Sequence, residues 1–275
     1  MTKHIIKNIK EIAKFKQMKK ETIKIIIWVT IFSIGMAFIE SSVVVYLRAL
    51  YYPNGFHFPL QPIDIDIGYT EFLREFATLI MLVSIGFIAA KTKLQKFAYF
   101  IYSFAIWDIF YYVFLKFLLD WPESFLTWDI LFLIPVTWVG PVITPVICSI
   151  AMIFLAFAII YLQEKYDNVR IKLFEWLILI IGSIVVIVSF TMDYVAFLHK
   201  YYTYNEIFTW TWIDDSIELA NNYVPQNFNW YVFIIGMLII IGGIIKFIYR
   251  SRKNILNSHY SQKGSMNQHE ADSVV

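Results

Sequence analysis

The chain reads as all-α, a polytopic membrane helix bundle of six transmembrane helices with both termini inside. Three observations carry that reading. The 275 residues are 59% hydrophobic and 16% charged, against about 45–50% and about 25% in soluble domains. The mean hydropathy is +0.61, and the apolar residues gather into runs of about 18 or more, the length that marks a membrane span. The lysines and arginines fall on one side of those runs. A soluble enzyme, a nucleic-acid-binding protein and a disordered chain are excluded by the first two observations.

Residues 1–24 are expected to form a basic amphipathic segment on the cytoplasmic side. Ile5, Ile6, Ile9, Ile12 and Ala13 recur at helical spacing, and Lys3, Lys7, Lys10 and Lys14 take the other positions. That pattern suits the anionic inner leaflet, so membrane lipids are the first expected partner. No small-residue cleavage site follows the first apolar run, which is too long for a signal peptide and is read as an anchor.

Residues 25–250 hold the bundle. Span one is Ile25–Leu47, span two Phe72–Ala90 and span three Phe97–Leu119. The fourth segment, Ile130–Leu162, is long and broken by prolines; span five is Leu173–Leu198 and span six Trp230–Tyr249. Helix is the conformation that satisfies a backbone facing lipid, and none of these runs alternates as barrel strands do. Residues 251–275 lack an apolar period and are read as a disordered cytoplasmic tail.

Basic residues set the orientation. Of the 23 lysines and arginines, only Arg48, Arg74, Lys116 and Lys200 fall outside the segments 1–24, 91–96, 163–172 and 246–275. Placing those segments in the cytoplasm obeys the positive-inside rule and puts the chain in the cytoplasmic (plasma) membrane. The outer loops are then 48–71, 120–129 and 199–229. They are rich in tyrosine and tryptophan, as interfacial belts are. Within the last of them Asp214-Asp215-Ser216-Ile217-Glu218 reads as a capped start of a short helix.

The fourth segment cannot be one regular helix. Pro135, Pro141 and Pro145, with Gly140 before the second, interrupt it within eleven residues. Residues 142–162 suffice to span. Residues 128–140 are then either a short re-entrant or interfacial helix, or part of a kinked ordinary one.

Polar chemistry inside the spans supplies the candidate site. Ionisable residues at membrane depth are costly and mark pairs, pathways or sites. Asp108, Tyr112 and Lys116 stand at i, i+4 and i+8, one stripe of acid, phenol and amine. Glu40 in span one and Asp193 in span five belong to the same outer layer. These five are the candidate catalytic residues. Glu71, Arg74, Glu75, Trp107, Tyr111, Trp128, Asp129 and Trp138 are the candidate binding residues. Glu40, Glu75, Asp108, Lys116 and Asp193 are expected to converge on one outward-opening interior, because five separate lipid-facing charges would each cost about 2.5–3.5 kcal/mol.

No metal-ligand spacing, phosphate loop or nucleophile motif occurs, so no metal and no cofactor is expected. The one cysteine, Cys148, lies in an apolar run and reads as a small buried hydrophobe. Three functions remain open on the sequence. The first is an intramembrane enzyme performing acid–base chemistry on an apolar small molecule, lipid-like or isoprenoid. The second is a non-catalytic subunit or assembly factor whose charges lock helices together. The third is a small proton-coupled transporter. An outer pocket lined by unpaired acids and aromatic rings would favour the first.

Overall fold

The computed structural model describes residues 2–61, 63–133, 136–166, 169–208, 219 and 222–272. Its elements in chain order are α1 (Thr2–Tyr51), α2 (Ile65–Ala89), α3 (Lys93–Leu119), β1 (Trp128–Phe132) and β2 (Trp138–Pro141). They continue with α4 (Ile143–Lys165), α5 (Leu173–Leu198), the short α6 (Tyr204–Phe208) and a last helix, here α7 (Trp230–Asp272). Among the described residues six helices are long and apolar enough to cross a membrane: Lys19–Tyr51, Ile65–Ala89, Lys93–Leu119, Ile143–Lys165, Leu173–Leu198 and Trp230–Lys253. The chain is mostly helical, and its apolar helices fit a multi-pass membrane protein.

Two stretches differ from the sequence reading in continuity. The basic segment and span one form one unbroken helix, α1, from Thr2. The helical backbone of α7 runs to Asp272, through the stretch read above as a disordered tail. The capped start at Asp214–Glu218 lies outside the described residues.

Local chemistry explains the helix ends. Asp64 caps α2, its Oδ1 accepting from the Asp66 N–H at 2.9 Å. Thr92 caps α3, its Oγ1 accepting from the Gln95 N–H at 3.2 Å. Helix α3 stops at Asp120, whose φ of 51° is left-handed. Helix α4 begins only after Pro141, with Pro145 in its first turn, where a missing N–H disturbs no helical bond.

The segment before α4 corrects one expectation. Residues 128–132 and 138–141 are neither a re-entrant helix nor part of a kinked one; they are the strands β1 and β2, paired antiparallel. Trp128 pairs with Pro141, Asp129 with Gly140 and Ile130 with Val139, and a bulge precedes the pairing of Phe132 with Trp138. A strand facing lipid leaves backbone groups unsatisfied. Here protein meets that need. The strands bond to each other, β2 packs on α5, and the Glu75 carboxylate accepts from the Leu133 N–H at 3.2 Å. The break between residues 128–141 and the following span is as the prolines require.

Helix α3 is the centre of the larger group, with α1, α2 and α4 packed along it. Helices α5 and α7 form a close pair, joined to the rest through α4 and β2. Close approach explains two glycines. A Cβ on Gly86 would stand 2.8 Å from the Lys96 carbonyl oxygen on α3, and one on Gly182 would stand 2.7 Å from Ile240 on α7. Gly182→Leu is therefore expected to part α5 from α7 and lower stability by about 1–3 kcal/mol. Detergent-induced unfolding measures this; a variant as stable as the parent would refute such tight packing.

Polar clamps supplement the apolar core. Where no charge signals them, Thr30 bonds Tyr102 at 2.7 Å and Ser33 bonds Ser103 at 2.8 Å, fastening α1 to α3. At the first turn of α5 Arg250 donates from Nε to Glu175 Oε1 at 2.6 Å and from Nη2 to Oε2 at 2.8 Å. That bidentate pair ties α7 to α5. Large apolar side chains such as Ile88, Phe154 and Leu238 are exposed, as a surface facing lipid requires.

Candidate functional site

A cavity of about 290 Å³ opens at the end of the bundle that carries the α1–α2 loop, among α1, α2, α3 and β1. Helix spacing places its walls. On α3, Trp107, Asp108, Tyr111 and Tyr112 share one face, at i, i+1, i+4 and i+5. The first turns of α2 supply Gly68, Glu71, Arg74 and Glu75, and α1 supplies Glu40, Val44 and Arg48. Strand β1 contributes Asp129 and Ile130. Tyr52, Phe56, Leu60 and Gln61 from the loop after α1 form the roof.

Two arginines organise most of the charge. Arg74 lies against two acids at once. Its Nη1 is 2.5 Å from Glu40 Oε1, a contact of charge without hydrogen-bond alignment, and its Nε donates to Glu71 Oε2 at 2.8 Å. This joins α1 to α2. Arg48 is buried, and its Nη2 stands 3.8 Å from Asp129 Oδ1. Its guanidinium also lies over the Trp121 ring at 3.8 Å and the Phe56 ring at 4.6 Å. One cation thus fixes the hairpin, the roof loop and the turn after α3. The Tyr112 hydroxyl donates to Asp129 Oδ2 at 3.2 Å.

Asp129 precedes the fourth spanning helix and is buried. Burial pushes its carboxyl up to about 6, although Arg48 and the Tyr112 hydroxyl favour the charged form. A carboxyl raised by folding stabilises the native state most below the ordinary carboxylate range, and that contribution is lost as pH rises through about 6. Asp129→Asn is expected to remove this dependence. Unfolding measured between pH 4 and pH 8 checks it, and an unchanged profile would contradict it.

Two carboxyls lack a basic partner among the described residues. Glu75 accepts only the Leu133 N–H. Asp108 Oδ2 accepts from the Ser149 hydroxyl at 2.7 Å, across the α3–α4 contact. On the same wall the Trp107 indole N–H is buried with no hydrogen-bond partner among the described residues. Among the described residues no group of three or more histidine, cysteine or acidic side chains is placed to hold a metal.

The structure gathers Glu40, Glu71, Arg74, Glu75, Trp107, Asp108, Tyr111, Tyr112 and Asp129 around the cavity. It does not bring in Lys116, Asp193, Trp128 or Trp138, so the expected five-charge convergence is not formed. Lys116 is exposed and bonds Asp120 Oδ1 at 2.7 Å and the Pro122 carbonyl at 3.2 Å. Helix α3 ends just beyond it, so its stem reaches outward and closes the helix end. Asp193 sits on α5, whose main packing partner is α7; α5 meets α3 at Phe97–Trp176, near the other end of the helix from Asp193. Its Oδ2 accepts from the Tyr223 hydroxyl at 2.7 Å, and its oxygens take the Gln226 and Asn227 N–H groups at 3.3 Å each. It anchors the segment before α7. Asp193→Ala is expected to loosen that segment without changing the cavity, and faster proteolysis near Gln226 would show it; unchanged cleavage would refute the anchor.

Strand alternation removes the two tryptophans. Trp128 points opposite to Asp129 and meets Phe228, and Trp138 stacks on Phe190. Sequence reasoning missed the main role of Arg48, and it missed Ser149 and the roof loop. A lone arginine at the end of an apolar run was a usable signal; a serine within an apolar helix was not. Comparisons with protein-family models, curated proteins and solved structures return no match for this chain.

Proposed function

We propose that this membrane protein is an enzyme performing acid–base chemistry on a lipid-like substrate, an isoprenoid or similar apolar molecule. One observation carries the reading: Glu75 and Asp108, two carboxyls without a basic partner among the described residues, line an aromatic-walled cavity of about 290 Å³. A largely buried carboxyl without an ion-pair partner can hold a proton and deliver it, and its neighbour can take one back. Aromatic faces from Trp107, Tyr111 and Tyr112 stabilise positive charge that develops on an apolar substrate. Mass spectrometry of molecules that co-purify in mild detergent tests this. An apolar molecule is expected with the parent and absent with Gly68→Phe, which fills the cavity at a position with room for a side chain. The same molecules in both samples would count against the site.

The orientation belongs to the same proposal. Both termini lie in the cytoplasm of a cell whose plasma membrane holds the protein, and the cavity opens outward, as the basic residues direct. On a background without Cys148, a cysteine at position 57 is expected to react with a membrane-impermeant reagent from outside. Labelling from the cytoplasmic side alone would reverse the topology.

A second reading has its own support. Arg74 ties α1 to α2, and Arg48 ties α1 to β1, so the charges also act as helix clamps. A non-catalytic subunit would hold an unconverted structural lipid in the same place.

A further inference from the structure

Charge balance in the cavity points to the class of its ligand. The walls carry five carboxyls, Glu40, Glu71, Glu75, Asp108 and Asp129, against the two guanidiniums of Arg48 and Arg74. Both guanidiniums are already engaged, Arg74 with Glu40 and Glu71 and Arg48 with Asp129. No cation remains for Glu75 or Asp108 among the described residues. A desolvated, unpaired carboxylate is expensive, and a ligand that brings a positive charge removes that cost.

A metal ion is a poor candidate for that charge, because the acids are not grouped as ligands. An organic cation needs no such grouping. It needs carboxylates on one side and ring faces on the other, and Tyr52, Trp107, Tyr111 and Tyr112 line the same space. Val44, Leu47 and Leu131 add an apolar wall for the rest of the molecule. The volume, about 290 Å³, is near the lower end for small-molecule sites. It suits a head group with a short apolar stem.

We propose that the cavity binds an apolar molecule through an ammonium group seated against Glu75 and Asp108. This rests on the enzyme reading only in placing the ligand in that cavity. Binding is measured on the full chain in detergent by intrinsic tryptophan fluorescence at pH 7.5. The probes are hexylammonium and hexanol, which share a stem and differ in charge. Hexylammonium is expected to bind about ten-fold tighter, about 1.4 kcal/mol. In Glu75→Gln/Asp108→Asn that preference is expected to fall to about two-fold or less, the ion's loss of its carboxylate partners. Equal binding of the two probes by the parent overturns the charge inference even if the double variant does not fold. That result leaves an apolar pocket, and with it the enzyme reading, standing. A preference that survives the double variant overturns the assignment to Glu75 and Asp108. Failure of both probes to bind removes the ligand pocket altogether, and the enzyme reading with it.

Discussion

Arg74→Ala is expected to be the most damaging single substitution around the cavity, lowering stability by about 3–5 kcal/mol. The reason is what it leaves behind. Glu40 and Glu71 sit against Arg74 on α1 and α2, with side chains only 10% and 14% exposed. Without the guanidinium, two poorly hydrated carboxylates face each other at membrane depth. The loss is therefore larger than the worth of the ion pairs themselves. Arg74→Ala combined with Glu40→Gln and Glu71→Gln is expected to recover most of it, since the triple variant buries no uncompensated charge. Detergent-induced unfolding of the parent and the two variants reads this directly. A cost below about 1 kcal/mol for Arg74→Ala would mean that the cluster is as well hydrated as a surface pair.

Asp108→Asn is expected to have the opposite profile, a fold kept and a function lost. The amide oxygen of an asparagine can still accept the Ser149 hydroxyl, so the α3–α4 contact at 2.7 Å survives. What disappears is the exchangeable proton. General acid–base groups contribute about 10²- to 10⁴-fold, so turnover of the natural molecule should fall by that much while unfolding is unchanged. Ser149→Ala serves as the companion variant, because it frees the carboxyl without removing it, and should cost far less activity. Turnover within about three-fold of the parent in Asp108→Asn would remove Asp108 from the chemistry.

Much of this was legible in the sequence because membrane physics leaves few choices. Length and apolarity placed all six spanning helices, since a lipid-facing backbone has to bond within itself. The spacing of Glu71, Arg74 and Glu75 and of Trp107, Asp108, Tyr111 and Tyr112 put each set on one helix face. The hairpin was not legible. The prolines and Gly140 ruled out a helix through residues 135–145, but nothing local says that protein, and not lipid, would surround the strands. Neighbour relations were also beyond reach. Counting along the helices gives Lys116 and Asp193 a depth similar to that of Glu40, yet Lys116 folds back on the end of α3 and α5 pairs mainly with α7. Depth follows from counting along a helix; which helices touch depends on side-chain packing such as Gly182 against Ile240.

The central claim is that the cavity converts an apolar molecule and does not merely hold one. Small molecules extracted from the purified parent protein and from Asp108→Asn, compared by mass spectrometry, address it most directly. The expected result is one apolar scaffold in two forms, the substrate accumulating in Asp108→Asn and converted when parent protein is added. The same unconverted lipid in both, unchanged by added parent protein, would contradict the claim and identify the cavity as a structural lipid site.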